Sequence, residues 1–399
     1  MGSPEGVASS SRTMRLLRAT HTVNPALGGP IESIRQSSAA LVRRGHDVEI
    51  ISLDAPNDPW VRDSAIPVHA LGPGLGSYGY APRFSDWIRE QRANYDAVIV
   101  HGVWQYSSFG VWRALAGTDT PYFVFPHGML DPWFKRTYPL KHIKKLLFWP
   151  WGEYRVLRDA AAVLFTSEEE RRLARDSFKL YRSNEKVVNY GTAAPADLET
   201  ARERFFEAFP RLRQQQFLLF LGRLHEKKGC DLLIEAFVEL QNSSGAPQHL
   251  VMAGPCSDDG YLRRLQQIAA RAGDSITFPG MLTGDVKSGA LSAADAFVLP
   301  SHQENFGIAV AEALACGTPV LISNKINIWR EIETDGAGYV ENDDLAGTVN
   351  LLKRWVATPE TSRAEMRQNA RNCFAAHFEI ERATDSLLTV IANPRSTHP

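Results

Sequence analysis

The sequence predicts an α/β protein built as two units, and three observations predict it. Short apolar runs alternate with amphipathic helical stretches along nearly the whole chain, the pattern of parallel sheets covered by helices on both faces. At 399 residues the chain exceeds what one core usually fills. A charged stretch without strand signals, 196–216, separates two such alternating sets and reads as the linker between domains at 13–195 and 217–378.

Composition narrows the classes of function. The chain is 44% hydrophobic and 22% charged with a net charge of −1, which gives no reason to expect a nucleic-acid partner. Cys230, Cys256, Cys316 and Cys373 are scattered without a CxxC pair, so reduced thiols in a cytoplasmic setting are expected, and no metal site. No apolar run is long enough for a membrane span. Residues 1–12 are polar, lack the apolar core of a signal peptide and read as disordered.

In the first unit, 13–20 reads as a strand, followed by a loop holding Gly28 and Gly29, a helix at 31–44 and a strand at 47–53. Paired glycines there either let backbone N–H groups approach a phosphate at the helix N-terminus or simply make a tight turn; the residues alone do not separate the two. Further strands are expected at 66–70, 96–101, 122–126, 161–166 and 187–189. His101 and Trp104 stand at the end of one strand, and His127 and Asp131 just past another. Ligands bind in the crevice at such strand ends, so His127 is a candidate for contacting substrate, and His101, Trp104 and Asp131 are candidates on the acceptor side. Segment 141–151, from Lys141 to Trp151, mixes lysines with Leu, Phe and Trp and holds no acid. Such a segment can lie at a membrane interface, bind an anionic acceptor, or pack its aromatic side on the domain.

The second unit opens on the strand 217–221. Gly222, Arg223, Lys227, Lys228 and Gly229 then fill a strand-to-helix loop, where Arg and Lys before a helix N-terminus suit a diphosphate. Gly254 follows the next strand, and its small size would let a nucleotide lie close. Segment 300–320 follows a buried strand at 296–300. It places Glu304 in the loop and Glu312 on the second turn of the next helix, so both acids can face one crevice. Segment 363–391 is helical with a break near His377 and Phe378.

The string Glu304-x7-Glu312, with Asn305, Phe306 and Gly307 between and Gly-Thr-Pro-Val after, closely resembles the signature of retaining GT-B glycosyltransferases that use nucleotide sugars, the large group 1 family. The likeness is strong over 217–340 and looser over the first half. It implies a GT-B fold: two Rossmann-like domains, with a C-terminal helix at 379–391 crossing back onto the first. It implies that Arg223 and Lys228 hold the donor diphosphate, that Gly28 and Gly29 approach it from across the cleft, and that His127 lies close to the transferred sugar. Glu304 and the backbone of Asn305, Phe306 and Gly307 would hold the sugar, Glu312 the ribose, and Met281 and Leu282 the base. The implied reaction moves a hexosyl group from a GDP- or UDP-sugar to a saccharide or polyprenyl-linked acceptor in surface polysaccharide synthesis, with no cofactor and no metal. At Asn189-Tyr190-Gly191 the chain departs from the family's usual Pro-Asn-Gly-Val, so no donor contact is carried over there. An epimerase, a phosphorylase or a non-catalytic sugar-nucleotide binder would share much of this pattern.

Overall fold

The computed structural model describes residues 12–244 and 249–393. The stretch expected to be disordered, 1–12, lies outside them apart from Arg12, whose guanidinium pairs with Asp96.

Seven strands form the first sheet: β1 (Arg15–Ala19), β2 (Asp47–Ser52), β3 (Val68–Ala70), β4 (Ala97–His101), β5 (Tyr122–Phe125), β6 (Ala162–Phe165) and β7 (Glu185–Val187). They lie in the order β3-β2-β1-β4-β5-β6-β7, all parallel. Six more form the second: β8 (Phe217–Leu221), β9 (His249–Ala253), β10 (Ile276–Gly280), β11 (Ala296–Leu299), β12 (Val320–Ser323) and β13 (Gly338–Glu341). Their order is β10-β9-β8-β11-β12-β13, again all parallel. Parallel strands need long return connections, which the helical runs supply, and those helices bury both sheet faces. That is why β4 reads Ala-Val-Ile-Val-His without alternation and is buried at every position.

Each sheet reverses its strand order once, between β1 and β4 and between β8 and β11. Connections leave such a pair in opposite directions and open a crevice at the strands' C-terminal ends, which is the binding position of open α/β sheets. Beneath it, Leu17, Val98 and Val124 fill one side of the first sheet, and Leu16, Ile99 and Phe123 the other. The second sheet is packed around Phe217, Phe220, Phe237 and Trp355.

Segment 196–216, expected as a linker, folds onto the second unit instead. The helix Leu198–Ala208 buries Phe205 and Phe206 in that core and lies tightly against the helix Gly284–Ala293. A Cβ on Gly289 would come within 2.0 Å of the Ala201 carbonyl oxygen. The charges that suggest a linker lie on the outer face, and the paired phenylalanines override them. The chain crosses between units at 188–195, and it crosses back beside Phe378, where Thr192 N–H donates to the Phe378 carbonyl at 3.0 Å. The helix Glu360–Cys373 ends in a widened turn at Phe374–Phe378, the position of the expected break. The helix Ile380–Ala392 then returns to the first unit, where Arg43 and Arg44 pair with Glu381 and where Leu387 and Ile391 enter the core.

Candidate active site

Both switch points open into one cleft of about 850 Å³. From the second unit, the loop after β8 brings Gly222, Arg223, Lys227 and Lys228 to it, and the turn after β9 brings Gly254. Gly254 has φ +144, and a Cβ there would stand 1.8 Å from the Gly222 carbonyl oxygen, so only glycine lets the two turns pack this closely. Met281 and Leu282, after β10, line the far end, with Met281 61% exposed. The loop after β11 supplies Gln303, Glu304, Asn305 and Phe306. Gly307, at φ 74, then caps the helix Ile308–Ala315, and Glu312 on that helix faces the same cleft.

This wall crowds cations against one another and against acids. The Lys228 ammonium touches the Glu304 carboxylate. Burial, with Lys227 and Arg223 alongside, pulls Lys228 down to about 7 from its ordinary 10.5, and burial lowers Lys227 to about 8. An anion placed between them would restore their charge and compete with Glu304 for Lys228. Farther along, Lys287 donates to Glu312 at 2.7 Å, while burial raises the Glu312 carboxyl.

From the first unit, Gly29, Glu32 and Arg35 line the cleft at the start of the helix Gly29–Arg43; Gly28, at φ 85, lies just behind as its N-cap. His127 lines it in a left-handed conformation, φ 50. Its loop is held by the buried Glu170, which accepts from Gly128 N–H at 2.7 Å and Thr166 N–H at 2.8 Å. Tyr190 and Thr192, from the crossing segment, complete the wall, Tyr190 standing edge-on to both His127 and Phe306.

Of the three residues that the sequence suggests for the acceptor side, His101 and Trp104 do not line the cleft and Asp131 lines a small cavity beside it. His101 is the last residue of β4 and so points into the sheet layer; it is 5% exposed, behind His127, and does not line the cleft. Trp104 is part of the framework: its backbone N–H donates to the buried Glu153, its indole to the Met129 carbonyl, and its ring packs against Trp149 and Phe178. Asp131 sits beside the cleft in a separate cavity of about 60 Å³, together with Lys135, Lys141 and Lys145. It accepts from Gln303 at 3.1 Å across the two units. Asn305 with Thr166 at 3.2 Å and Arg330 with Glu169 at 2.7 Å also bridge the units.

Sequence reading missed Arg18, Glu170, Tyr190, Lys287 and Gln303. Tyr190 and Gln303 carried a usable signal: Tyr190 follows the strand expected at 187–189, and Gln303 precedes Glu304 in segment 300–320. Arg18, Glu170 and Lys287 need the tertiary fold to bring them near.

Comparison with known proteins agrees with this architecture. Residues 201–373 match the family model for glycosyl transferases group 1, and residues 28–191 match a glycosyl transferase 4-like domain. The chain is 26% identical over 394 residues to a GDP-mannose-dependent alpha-(1-6)-phosphatidylinositol dimannoside mannosyltransferase of Mycobacterium tuberculosis, covering 95% of this chain and 96% of that one. It is 30% identical over 250 residues to a D-inositol 3-phosphate glycosyltransferase of Geodermatophilus obscurus, covering 59% of this chain and about half, 53%, of that relative. Among solved structures, Anabaena HepE in complex with UDP superposes with a TM-score of 0.76 at 16% identity, over 95% of this chain and 100% of that one. Sucrose-phosphate synthase from Thermosynechococcus elongatus does so at 0.75 and 21%, over 96% and 98%. With both halves of the chain matched and the two-sheet architecture shared, the protein belongs to the group 1 glycosyl transferases of the GT-B fold.

Proposed function

We propose that the protein moves a hexosyl group from a GDP- or UDP-sugar to a saccharide or polyprenyl-linked saccharide acceptor, with retention at the anomeric carbon and without a metal, in the cytoplasmic synthesis of surface polysaccharide. One observation carries the reading: Arg223 and Lys228 converge with Glu304 and Glu312 on a single cleft at the switch points of both sheets. The barrier to such a transfer lies in the charge that develops on the departing diphosphate. Arg223, Lys228 and the N-terminus of the helix Ile308–Ala315 supply positive charge to meet it without a metal. Glu304 and the loop through Gly307 hold the sugar hydroxyls, and Glu312 accepts from the ribose. The departing phosphate takes the acceptor proton, so no protein base is assigned. Contacts between the units at Gln303–Asp131 and Asn305–Thr166 close the cleft against water.

The acceptor side favours a lipid-linked anion. The helix Pro139–Phe148 buries none of its residues: Leu140, Ile143 and Leu147 are exposed at 77%, 54% and 73%, beside the exposed Lys141 and Lys144, with Trp151 at 69% beyond its end. Lys141, His142 and Lys145 line the small cavity. Exposed apolar side chains interleaved with lysines suit a protein resting on a membrane, with Lys141 and Lys145 at the small cavity placed to meet an acceptor phosphate. Among the described residues no helix is long and apolar enough to cross a membrane.

Release of nucleoside diphosphate, measured over a panel of GDP- and UDP-sugars with saccharide and polyprenyl-linked acceptors and with EDTA present, tests the proposal. Turnover that depends on acceptor and resists EDTA supports it. Phosphorolysis, or epimerised donor without transfer, overturns it.

A further inference from the structure

Arg18 stands in β1, the strand at the switch point of the first sheet, and is 1% exposed. Among the described residues its Nε and Nη2 find no hydrogen-bond partner, and no carboxylate pairs with it. A buried guanidinium without a counter-ion is strongly unfavourable, so its one polar contact is informative. That contact is Nη1 to His101 Nε2 at 3.4 Å. His101 Nδ1 in turn lies 3.0 Å from His127 Nε2. The two imidazoles are within 14° of parallel with centroids 5.3 Å apart, a separation that fits an end-on N–H···N bond.

We infer that Arg18 is a positioning residue that sets the tautomer of His127 through His101, so that His127 offers the transferred sugar an N–H donor at Nδ1. The inference rests on the reading of the cleft as a sugar-nucleotide site. It follows from donor counting. Guanidinium has no acceptor, so His101 Nε2 is the bare nitrogen and the His101 proton is on Nδ1. That proton is donated to His127 Nε2, which is therefore also bare. The remaining proton of a neutral His127 is on Nδ1, which has no partner among the described residues. The opposite register would turn the His101 Nε2 proton onto an Arg18 N–H, donor against donor beside a cation.

Both rings are neutral near pH 7. Burial, with Arg18 next, lowers His127 to about 4; burial, Arg18 and His127 lower His101 well below the ordinary range. The other titratable groups around them are Tyr190, whose phenol burial raises, and Glu170, whose carboxyl burial raises as well. His127 is thus unsuited to be a proton acceptor and suited to hold a hydroxyl oxygen. The left-handed backbone at His127 and the Glu170 clamp on Gly128 keep that donor in place.

Arg18→Met and Arg18→Lys in the full chain test this. Methionine keeps the length and removes a buried charge, so the fold is retained. Long-range 1H–15N correlation on histidine-labelled protein reads the tautomers without any donor. The expected result is His127 protonated at Nδ1 in the wild type, mixed tautomers in Arg18→Met, and a His127 titration midpoint rising above about 4 but staying below 6.5, because burial, the larger cause, remains. In parallel, kcat falls about 10-fold or more in Arg18→Met with donor KM little changed, and Arg18→Lys recovers the rate. A wild-type His127 protonated at Nε2, tautomers unmoved in Arg18→Met, or a shifted tautomer with unchanged kcat overturns the assignment. If wild type turns over no sugar nucleotide, the donor reading fails by itself, while the spectra still decide whether Arg18 sets the proton.

Discussion

Lys228 and Glu304 are in direct contact at the switch point of the second sheet, although 76 residues separate them. On the proposed reading the pair sets up a competition, because a donor diphosphate and Glu304 would both seek the same ammonium. Lys228→Ala should lower kcat by about 10²- to 10³-fold, as loss of one charge stabiliser in a dry site does, with the thermal midpoint close to wild type. Glu304→Gln should separate binding from transfer. Calorimetry is expected to show tighter binding of free nucleoside diphosphate, while transfer falls. Weaker binding in that variant would mean that Glu304 does not restrain Lys228.

The lowered Lys228 makes a pH signature. A lysine charged only below about 7 attracts a diphosphate below that pH and loses it above. The donor kcat/KM should therefore fall as pH rises through about 7, by up to about tenfold per unit. Lys228→Arg, charged at every accessible pH, should flatten the fall. A profile that is level to pH 9 in the wild type would refute it.

Glu312 is paired with Lys287 in the same cleft. If it holds the ribose equally in ground and transition states, Glu312→Gln raises donor KM by about 10-fold and leaves kcat nearly unchanged. Initial-rate kinetics decide, and a selective loss of kcat would move Glu312 into the chemistry.

Glu170 carries the His127 loop. Glu170→Ala leaves the backbone N–H groups of Gly128 and Thr166 unpaired in a buried site, at about 1–3 kcal/mol each. A clear drop in the urea midpoint is expected, and Glu170→Gln, which keeps one acceptor, should lose less. Equal losses in the two variants would show that the carboxylate's second oxygen carries the loop.

Replacing Leu140, Leu147 and Trp151 together by Ser should reduce co-sedimentation with anionic vesicles by about 10-fold or more. The thermal midpoint should hold, since all three are exposed. Unchanged sedimentation would leave the ridge with no membrane role.

Much of this architecture is legible before folding. Buried parallel strands announce themselves as unbroken apolar runs, and the loops after β8 and β11 carry their cations and acids in local order. What stays hidden depends on where along a strand a residue falls and on what packs over it. Arg15 and Arg18 both lie in β1, yet Arg15 opens the strand at its exposed end and pairs with Glu49, while Arg18 is buried farther along it beside His101. His101 reads as a cleft residue because it ends a strand, but being inside the strand it is turned into the sheet layer. The helix Leu198–Ala208 reads as a linker because its charges outnumber its two buried phenylalanines, and only packing shows which of these decides.

The helix Ile380–Ala392 ties synthesis to order of assembly. Leu387 and Ile391 belong to the core of the unit that opens with β1, although the whole second unit is translated in between. On a ribosome the amino-terminal half would wait with an apolar face uncovered while its neighbour matures first, needing a chaperone or a short delay to stay intact. A nascent chain arrested before residue 380 should thus yield a protease-resistant carboxy-side fragment and a labile amino-side one. A helix made after the second unit closes the core of the first.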